Sequence, residues 1–149
     1  MQIINYFQSD RTAHWLEQIA SCQWRAAAYL AQLLRADKLR ETFGCEALYL
    51  LVDGERLASF VTLAQSDCVD APEYSPWIGF VYTAPAYRGR RLAGMLIEHA
   101  AQTAKQHGAQ RVYINTDHVG LYEKYGFTYL ENRMTTFGED SRIYVRELS

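Results

Sequence analysis

A single apolar segment near the middle of the chain limits the folds that this sequence can adopt. Trp77–Thr83 is almost continuously apolar, which is typical of a strand buried on both faces at the centre of a sheet. After Pro85 comes a stretch from about Arg88 to His107 with helical spacing of its apolar residues, and Gly108 then suits a left-handed helix cap. A central strand followed by an amphipathic helix predicts a sheet with helices packed against it.

The segment before this strand contains a clear hairpin signal. Ala47–Val52 and Arg56–Leu63 are rich in β-forming residues, and Asp53-Gly54 between them tolerates the positive φ of a tight turn. The next stretch, Gln65–Pro76, carries proline and several acidic residues and is typical of a loop. We therefore expect two antiparallel strands, then an acidic loop, then the buried strand.

The first forty residues predict a strand and helices. Met1–Phe7 mixes β-branched and aromatic residues with polar ones, and Ser9 and Asp10 can cap a helix that follows. The stretch Thr12–Phe43 is too long for an ordinary single helix. We expect two helices there, with a bend near Ser21–Gln23.

Four further elements follow the long helix. A strand is expected at Arg111–Asn115 and a short helix at His118–Tyr125. Two more strands are expected, at Phe127–Leu130 and Arg142–Leu148. The full order β-α-α-β-β-β-α-β-α-β-β predicts the α/β class, with a mixed sheet and helices on both faces. At 149 residues, the chain is expected to form one domain, residues 1–149.

Composition argues against several classes of function. The 49% hydrophobic and 21% charged residues are typical of an ordinary globular protein. A net charge of -2 disfavours a nucleic-acid partner, and the longest apolar stretches, such as Ala47–Val52, are too short to cross a bilayer. Three cysteines without CxxC spacing, and no signal-like N-terminus, predict a reduced cytoplasmic location. The four histidines lack ligand spacing, so no metal site is expected.

The strand-to-helix junction Tyr82–Gly94 carries the strongest functional signal. A helix N-terminus offers unpaired backbone N–H groups and a partial positive charge, and both attract phosphate. Gly89 leaves room for a ligand, while Arg88, Arg90 and Arg91 add cationic donors. Neither the P-loop nor the dinucleotide glycine pattern is present. We predict a pyrophosphate site of another kind. The alternatives are a basic turn that is merely solvated and a small patch that binds nucleic acid.

This junction resembles a motif of the GNAT family of N-acetyltransferases. Arg88–Ala93 is similar to the acetyl-CoA motif Q/R-x-x-G-x-G/A, with Arg91 at the position of the glycine. Thr83–Tyr87 matches the V-x-P-x-Y sequence that usually precedes this motif, with threonine in place of valine.

A second, separate block strengthens the resemblance. Asn115 followed by Leu121–Phe127 is similar to the family pattern N-x-x-A-x-x-L-Y-x-K-x-G-F, and His118 stands where alanine is usual. The two motifs have the separation and the strand and helix order of the family, and together the match covers roughly Trp77–Leu130. Two independent motifs are far more specific than one glycine signature.

The resemblance implies both a fold and an activity. The fold is that of the acyl-CoA N-acyltransferases, a central, mostly antiparallel sheet with helices on both faces. The activity is transfer of an acetyl group from acetyl-CoA, the cosubstrate, to a primary amine by direct attack in a ternary complex. The acceptor would be a small-molecule or peptidic amine, and the resemblance leaves a homodimer open. The alternative is a catalytically silent module that binds CoA or regulates another protein.

The resemblance also assigns residue roles. The pantetheine arm of acetyl-CoA would lie between two splayed strands, and Tyr122 would donate a proton to the leaving thiolate, because a phenol can donate without prior charge. Asn115 would contact the pantetheine or the amine, so the implied catalytic pair is Tyr122 and Asn115. The implied cofactor-binding set is Val81, Tyr82, Thr83, Arg88, Gly89, Arg90, Arg91, Leu92, Ala93, Gly94, Asn115 and Lys124.

An amine acceptor also requires a base. An alkyl ammonium has a pKa of about 10.4 and must lose a proton before it attacks. The residues open as bases are Asp70, Glu73, Asp117 and His118. Acidic residues also crowd two loops, which could attract a cationic acceptor if the loops converge, although solvated loops are the alternative. These residues are Asp67, Asp70 and Glu73 in one loop, and Glu139 and Asp140 in the other.

Overall fold

Antiparallel pairing holds most of the sheet together in the computed structural model, which describes residues 1–148. The strands are β1 (Gln2–Asn5), β2 (Cys45–Asp53), β3 (Arg56–Ala64), β4 (Trp77–Thr83), β5 (Arg111–Thr116), β6 (Thr128–Met134) and β7 (Asp140–Glu147). Within the described range these seven strands pair in the order β1-β2-β3-β4-β5-β7-β6. The β4–β5 pair is parallel, and the other five pairs are antiparallel.

Helices cover both faces of this sheet. They are α1 (Thr12–Ala20), α2 (Arg25–Arg35), α3 (Leu39–Phe43) and α4 (Leu92–Gln106), with 3₁₀ turns at Tyr6–Gln8, Pro85–Tyr87 and Tyr122–Tyr125. The predicted α/β fold with a mixed sheet between helices is confirmed. Between Met1 and Leu148, no helix combines the length and the apolar character that crossing a membrane requires.

Two apolar cores form on the two faces. On one face, Leu96 and Ile97 of α4 pack with Ile78 of β4, and all three are fully buried. On the other face, Ile19 of α1 and Leu30 of α2 are buried in the same cluster as residues of β2 and β3. Each such side chain contributes about 1.5–3 kcal/mol when it is removed from water. This burial holds β4 rigidly between α4 and the N-terminal helices.

Local sequence signals correctly predicted the hairpin and the first helix break in the N-terminal half of the chain. The hairpin is confirmed, with Asp53 opposite Arg56 and Gly54 at φ +60°. The helical stretch does break after α1, at Ser21. A second break was not foreseen: Asp37 takes φ +54°, and the short helix α3 follows it.

Two helix boundaries differ from expectation. Helix α4 begins at Leu92 and not near Arg88, because Gly89 and Arg91 have φ values of +82° and +57°, which no α-helix accommodates. The short helix expected from His118 is only the 3₁₀ turn Tyr122–Tyr125. The basic residues before Leu92 therefore form a loop that leads into the helix.

Strand β4 has an irregularity that decides which side chains face which helices. The pairing with β3 shifts register between Phe60 and Thr62, and Phe80 of β4 takes φ +48° in this bulge. Regular alternation would place Phe80 on the same face as Ile78. Instead Phe80 packs in the core of the N-terminal helices, while Val81 packs in the α4 core. The bulge therefore presents an aromatic ring on the face of α1 and α2.

Candidate active site

A gap between β4 and β5 is the main feature of the candidate site. In the part of the chain that the structure describes, these strands pair at one position only, Trp77 opposite Tyr113. Beyond it the two strands diverge, so the second half of β4 pairs with β3 on one side and has no strand on the other. The N–H of Ala84 bonds to Ala58 of β3. The preceding residue, Thr83, therefore directs its backbone groups into the gap.

The loop that leads into α4 borders the open end of the gap. Gly89 has open space where a side chain would stand. Arg91 is the residue before the first helical one, and within residues 1–148 no side chain caps the helix there. The first-turn N–H groups of α4 are thus left without intrahelical or side-chain partners. Such a terminus can bind an anion such as a diphosphate.

Arg91 adopts a left-handed conformation, which favours glycine, the residue that the family motif has at this position. Its φ of +57° and ψ of +31° cost a non-glycine residue about 1 kcal/mol. The arginine also adds a positive charge to the loop.

The three arginines are held close to the loop and carry no ion pair with any described residue. Arg88 donates from Nε to the carbonyl of Thr83 at 3.0 Å and lies over the ring of Tyr82. Arg90 lies over the ring of Tyr87, which is itself anchored to Asp53 at 2.8 Å. Aromatic faces thus hold two of the guanidinium groups.

Two predicted cofactor residues, Leu92 and Gly94, have structural roles that the sequence did not show. Leu92 is buried in the α4 core, so only its backbone could face a ligand. Gly94 has no room for a side chain, because a Cβ there would lie 2.5 Å from the ring of Tyr125. This close contact fixes α4 against the turn that carries Tyr122. Lys124 lies in the same turn and is exposed.

Tyr122 is buried beside the gap. Its ring lies 6.4 Å from that of Tyr144 and 6.3 Å from that of Phe127. Burial raises the pKa of Tyr122 to about 12, although a hydrogen bond with Thr116 at the end of β5 opposes this rise. The phenol therefore keeps its proton at neutral pH and can act as a donor.

Asn115 belongs to a network on the face of the N-terminal helices. Ser141 of β7, which is buried, donates to Asn115 Oδ1 at 3.2 Å. With its oxygen held in this way, the side-chain amide of Asn115 donates to Asp67 and lowers the carboxyl pKa. The structure thus brings one predicted residue, Asn115, next to Asp67, which was counted only as part of an acidic loop.

Asp67 is the carboxylate that the fold places against β4. Its Oδ2 lies 2.9 Å from the position that a Cβ on Gly79 would occupy, and its Oδ1 accepts from the N–H of Cys68 at 2.6 Å. Burial raises the pKa of Asp67 to about 6, more than the hydrogen bonds from Cys68 and Asn115 lower it. No sequence motif marks this residue, because its burial depends on how the loop folds.

The other acidic candidates are engaged differently. Glu73 forms an ion pair with Arg133 at 2.6 Å, which lowers its carboxyl pKa. Asp140 accepts from Asn132 at 2.5 Å. The two acidic loops do converge, since Thr136 donates to the carbonyl of Cys68 at 3.1 Å. The remaining candidates, Asp70, Asp117, His118 and Glu139, are exposed.

The model of the family described as "Acetyltransferase (GNAT) family" matches residues 9–127. The chain belongs to this family. The resemblance predicted from the two motifs is thereby confirmed, although the assignment of roles to single residues stays a prediction.

Among curated proteins, this chain is similar to part of a longer acetyltransferase. Mycothiol acetyltransferase from Corynebacterium glutamicum (strain R) is 32% identical over 113 residues, which is 70% of this chain and 35% of that protein. The chain therefore spans about a third of the length of this relative.

Solved structures share the fold at low sequence identity. A GNAT family N-acetyltransferase from Escherichia coli in complex with CoA aligns with a TM-score of 0.72 at 18% identity, covering 99% of this chain and 81% of the other. A GNAT family acetyltransferase from Elizabethkingia anophelis with acetyl-CoA bound aligns with a TM-score of 0.68 at 17% identity, covering 99% and 97%. The predicted GNAT-like fold is confirmed by these likenesses.

The environment of Asp67 predicts a pH-dependent gain in stability when its charge is removed. Its raised pKa means that the folded protein binds a proton more tightly than the unfolded chain, so this stabilisation is present below about pH 4 and is lost as the pH rises through about 6. Asp67→Asn should therefore raise the free energy of unfolding by about 1 kcal/mol at pH 7.5. Urea unfolding at pH 7.5 and pH 4.5 measures this, and the gain should shrink at the lower pH. An equal or larger gain at pH 4.5 would contradict the assignment.

Proposed function

We propose that this protein is an acetyl-CoA-dependent N-acetyltransferase that moves an acetyl group to a primary amine by direct attack in a ternary complex. The observation that carries the proposal is the gap between β4 and β5, with an uncapped helix N-terminus at its open end and a buried phenol on its wall. Membership of the family and the printed activities of its relatives support it. The acceptor would be a small-molecule or peptidic amine. A cytoplasmic location and a homodimer stay predictions.

The residues around the gap fit acetyl-CoA. The diphosphate would lie at the N-terminus of α4, bonded by backbone N–H groups of the loop from Arg88 to Gly94 and balanced by the arginines. The pantetheine arm would run along the free edge of β4, where the backbone of Val81 and the N–H of Thr83 stand in place of a neighbouring strand, while the carbonyl of Thr83 is bonded to Arg88. Acetyl-CoA supplies the activated acetyl group, and the protein supplies its orientation.

Tyr122 would supply the proton that the departing sulfur requires. A thiolate has a conjugate thiol pKa near 8.5, well below the pKa of about 12 for Tyr122. Full transfer to the thiolate alone would therefore be uphill. The phenol would first donate a hydrogen bond to the charge that develops on sulfur, and its proton would pass to sulfur as the proton released by the attacking nitrogen replaces it. Thr116 holds the phenol oxygen in place.

The first prediction from this proposal concerns the diphosphate. Gly89→Asp places a carboxylate where the phosphates should lie, so acetyl-CoA should no longer raise the melting temperature, which it should do for the wild type by mass action. Thermal melts with and without millimolar acetyl-CoA measure the effect. The matched control is Gly54→Asp in the β2–β3 hairpin, because Gly54 also has positive φ and open space around it. If both variants keep the wild-type shift, the diphosphate binds elsewhere.

The second prediction concerns Tyr122. Tyr122→Phe should lower kcat by about 10²-fold and leave the KM for acetyl-CoA within about twofold, because the hydroxyl acts mainly as charge develops on the sulfur. Steady-state thiol release with a good amine acceptor measures both constants. Tyr125→Phe, in the same turn, is the control and should keep wild-type turnover. Wild-type kcat in Tyr122→Phe would remove this residue from the mechanism.

Acetyl-CoA binding without transfer to any amine class would instead favour the silent CoA-binding module. An intersecting pattern in double-reciprocal plots would support the ternary complex, whereas parallel lines would indicate an acetylated enzyme.

A further inference from the structure

A small pocket lies on the face of α1 and α2, directly beside the bulge of β4. Its walls come from α3 and the strands β2, β3 and β4 and from the acidic loop, and it contains the carboxylate of Asp67. Apart from this group and two hydroxyls, the lining is apolar or aromatic: Leu39, Phe43, Cys45, Ala64, Trp77 and Phe80. The space inside admits a group about the size of one water molecule. It could therefore take the ammonium head of an amine, whose apolar stem would lie outside the pocket.

Four aromatic rings form a wall next to this pocket, and we call them the aromatic wall: Tyr29, Phe43, Phe80 and Phe137. The ring of Tyr29 lies 6.5 Å from Phe43, 6.2 Å from Phe80 and 6.1 Å from Phe137. Phe43 and Phe80 lie 6.3 Å apart. These four residues come from α2, α3, the β4 bulge and the β6–β7 turn, so the wall exists only in the folded protein.

Two members of the wall occupy unusual positions. Phe80 is held at φ +48°, a conformation that is a clear outlier for a bulky residue and that is typical of functional sites. Phe137 is 65% exposed at the tip of the β6–β7 turn, where it contributes little to the core. An exposed ring and a strained ring that share one contact partner, Tyr29, suggest a surface kept for a ligand.

The charges around Asp67 leave its carboxylate unbalanced. Among the described residues, Asp67 takes part in no ion pair, and its hydrogen bonds come from Cys68 and Asn115. Cys45 and Cys68 flank the pocket as neutral thiols, since burial raises the pKa of each to about 12. Arg133 of β6, which bonds to the acidic loop at the carbonyl of Asp70, already pairs with Glu73 and Glu131.

We propose, resting on the N-acetyltransferase function above, that Asp67 is the proton acceptor for the attacking amine and that the aromatic wall selects amines with an aromatic or apolar stem and no carboxylate. Asn115 positions this carboxylate, because its side-chain amide donates to Asp67, and Ser141 positions Asn115 in turn. A zwitterionic amino acid is disfavoured because its own carboxylate would be desolvated against the rings and repelled by Asp67.

The proposed step balances in atoms and charge. The ammonium of the acceptor passes one proton to Asp67, and the apolar pocket favours this transfer because it penalises both charged forms. The free amine then attacks the thioester carbonyl carbon, the new N–C bond forms, and the C–S bond breaks. Sulfur takes a proton from Tyr122, and the second proton lost by nitrogen restores the phenol through water. Asp67 finally releases its proton to solvent, so each turnover yields an amide, CoA thiol and one proton.

The first test separates Asp67 from the binding of acetyl-CoA. For 2-phenylethylamine, Asp67→Asn should lose about 10²–10⁴-fold in kcat/KM while keeping the melting shift with acetyl-CoA. Asp10→Asn, an exposed residue outside the site, is the control and should behave as the wild type. In the wild type, kcat/KM should fall below about pH 6, where Asp67 becomes protonated. Wild-type turnover in Asp67→Asn would overturn the proposal.

The second test concerns the acceptor class. The wild type should prefer 2-phenylethylamine over spermidine and over phenylalanine in kcat/KM. Phe137→Ala should raise the KM for 2-phenylethylamine about fivefold, because one aromatic contact is lost, without changing the melting shift with acetyl-CoA. Leu130→Ala, an exposed change on the neighbouring strand β6, should leave this KM unaltered. Equal use of phenylalanine, or an unchanged KM in Phe137→Ala, would overturn the role of the wall.

A third measurement does not depend on catalysis. Isothermal titration of 2-phenylethylamine into the protein without acetyl-CoA should show binding that Asp67→Asn abolishes and Asp10→Asn retains. If acetyl-CoA does not bind but the amine does so through Asp67, the proposed function fails and the amine site stands. If acetyl-CoA binds and the amine does not bind or binds equally to both variants, the amine site fails and the CoA site stands.

Discussion

The divergence of β4 from β5 is the constraint on which the rest of the site depends. Two parallel neighbours would normally bond along their whole length, yet here they pair at Trp77 and Tyr113 only. Unpaired backbone groups are costly unless water or a ligand satisfies them. The large apolar cores hold β4 against β3 and β5 against β7, so the gap between β4 and β5 cannot close by sliding either strand alone. The fold therefore maintains an opening in the centre of its own sheet.

The chain strengthens this opening from both ends. Arg88 bonds back to the carbonyl of Thr83, and this bond ties the loop that leads into α4 to the free edge of β4. At the other side, the bare Cα of Gly94 lets α4 approach Tyr125, which fixes the turn that carries Tyr122. The acidic loop is fastened to the β6–β7 hairpin, since Arg133 bonds to the carbonyl of Asp70 at 3.1 Å. These contacts hold the turn of Tyr122, the acidic loop and the N-terminus of α4 around one gap.

Much of this arrangement could be predicted from the sequence, because its signals are local. The hairpin follows from Asp53-Gly54, and the central strand from the apolar run Trp77–Thr83. Phosphate binding by the loop with the arginines and Gly89 stays a prediction. The start of α4 could not be predicted in the same way. The spacing of apolar residues carries no information on backbone angles, so it does not predict that Gly89 and Arg91 take positive φ values and delay the start of the helix.

Asp67 and Glu73 could not be told apart by sequence, although they lie in the same acidic loop. One packs against Gly79 and Asn115, and the other pairs with Arg133, and both sets of partners lie in other elements. The placement of Phe80 could not be predicted for a related reason. Regular alternation of strand residues assigns Phe80 to the other face of the sheet, and the bulge that turns it depends on the pairing with β3. The sequence thus failed to predict the residues whose surroundings depend on long-range packing.

The most direct test of the account is a crystal structure of the protein grown with acetyl-CoA. We predict that the diphosphate lies against the N-terminal turn of α4, that the pantetheine arm bonds to the backbone of Val81 and Thr83, and that the thioester sulfur lies within hydrogen-bond reach of Tyr122. Density for acetyl-CoA outside the gap would contradict the account. So would hydrogen-bonded pairing of β4 and β5 along their whole length with acetyl-CoA bound elsewhere.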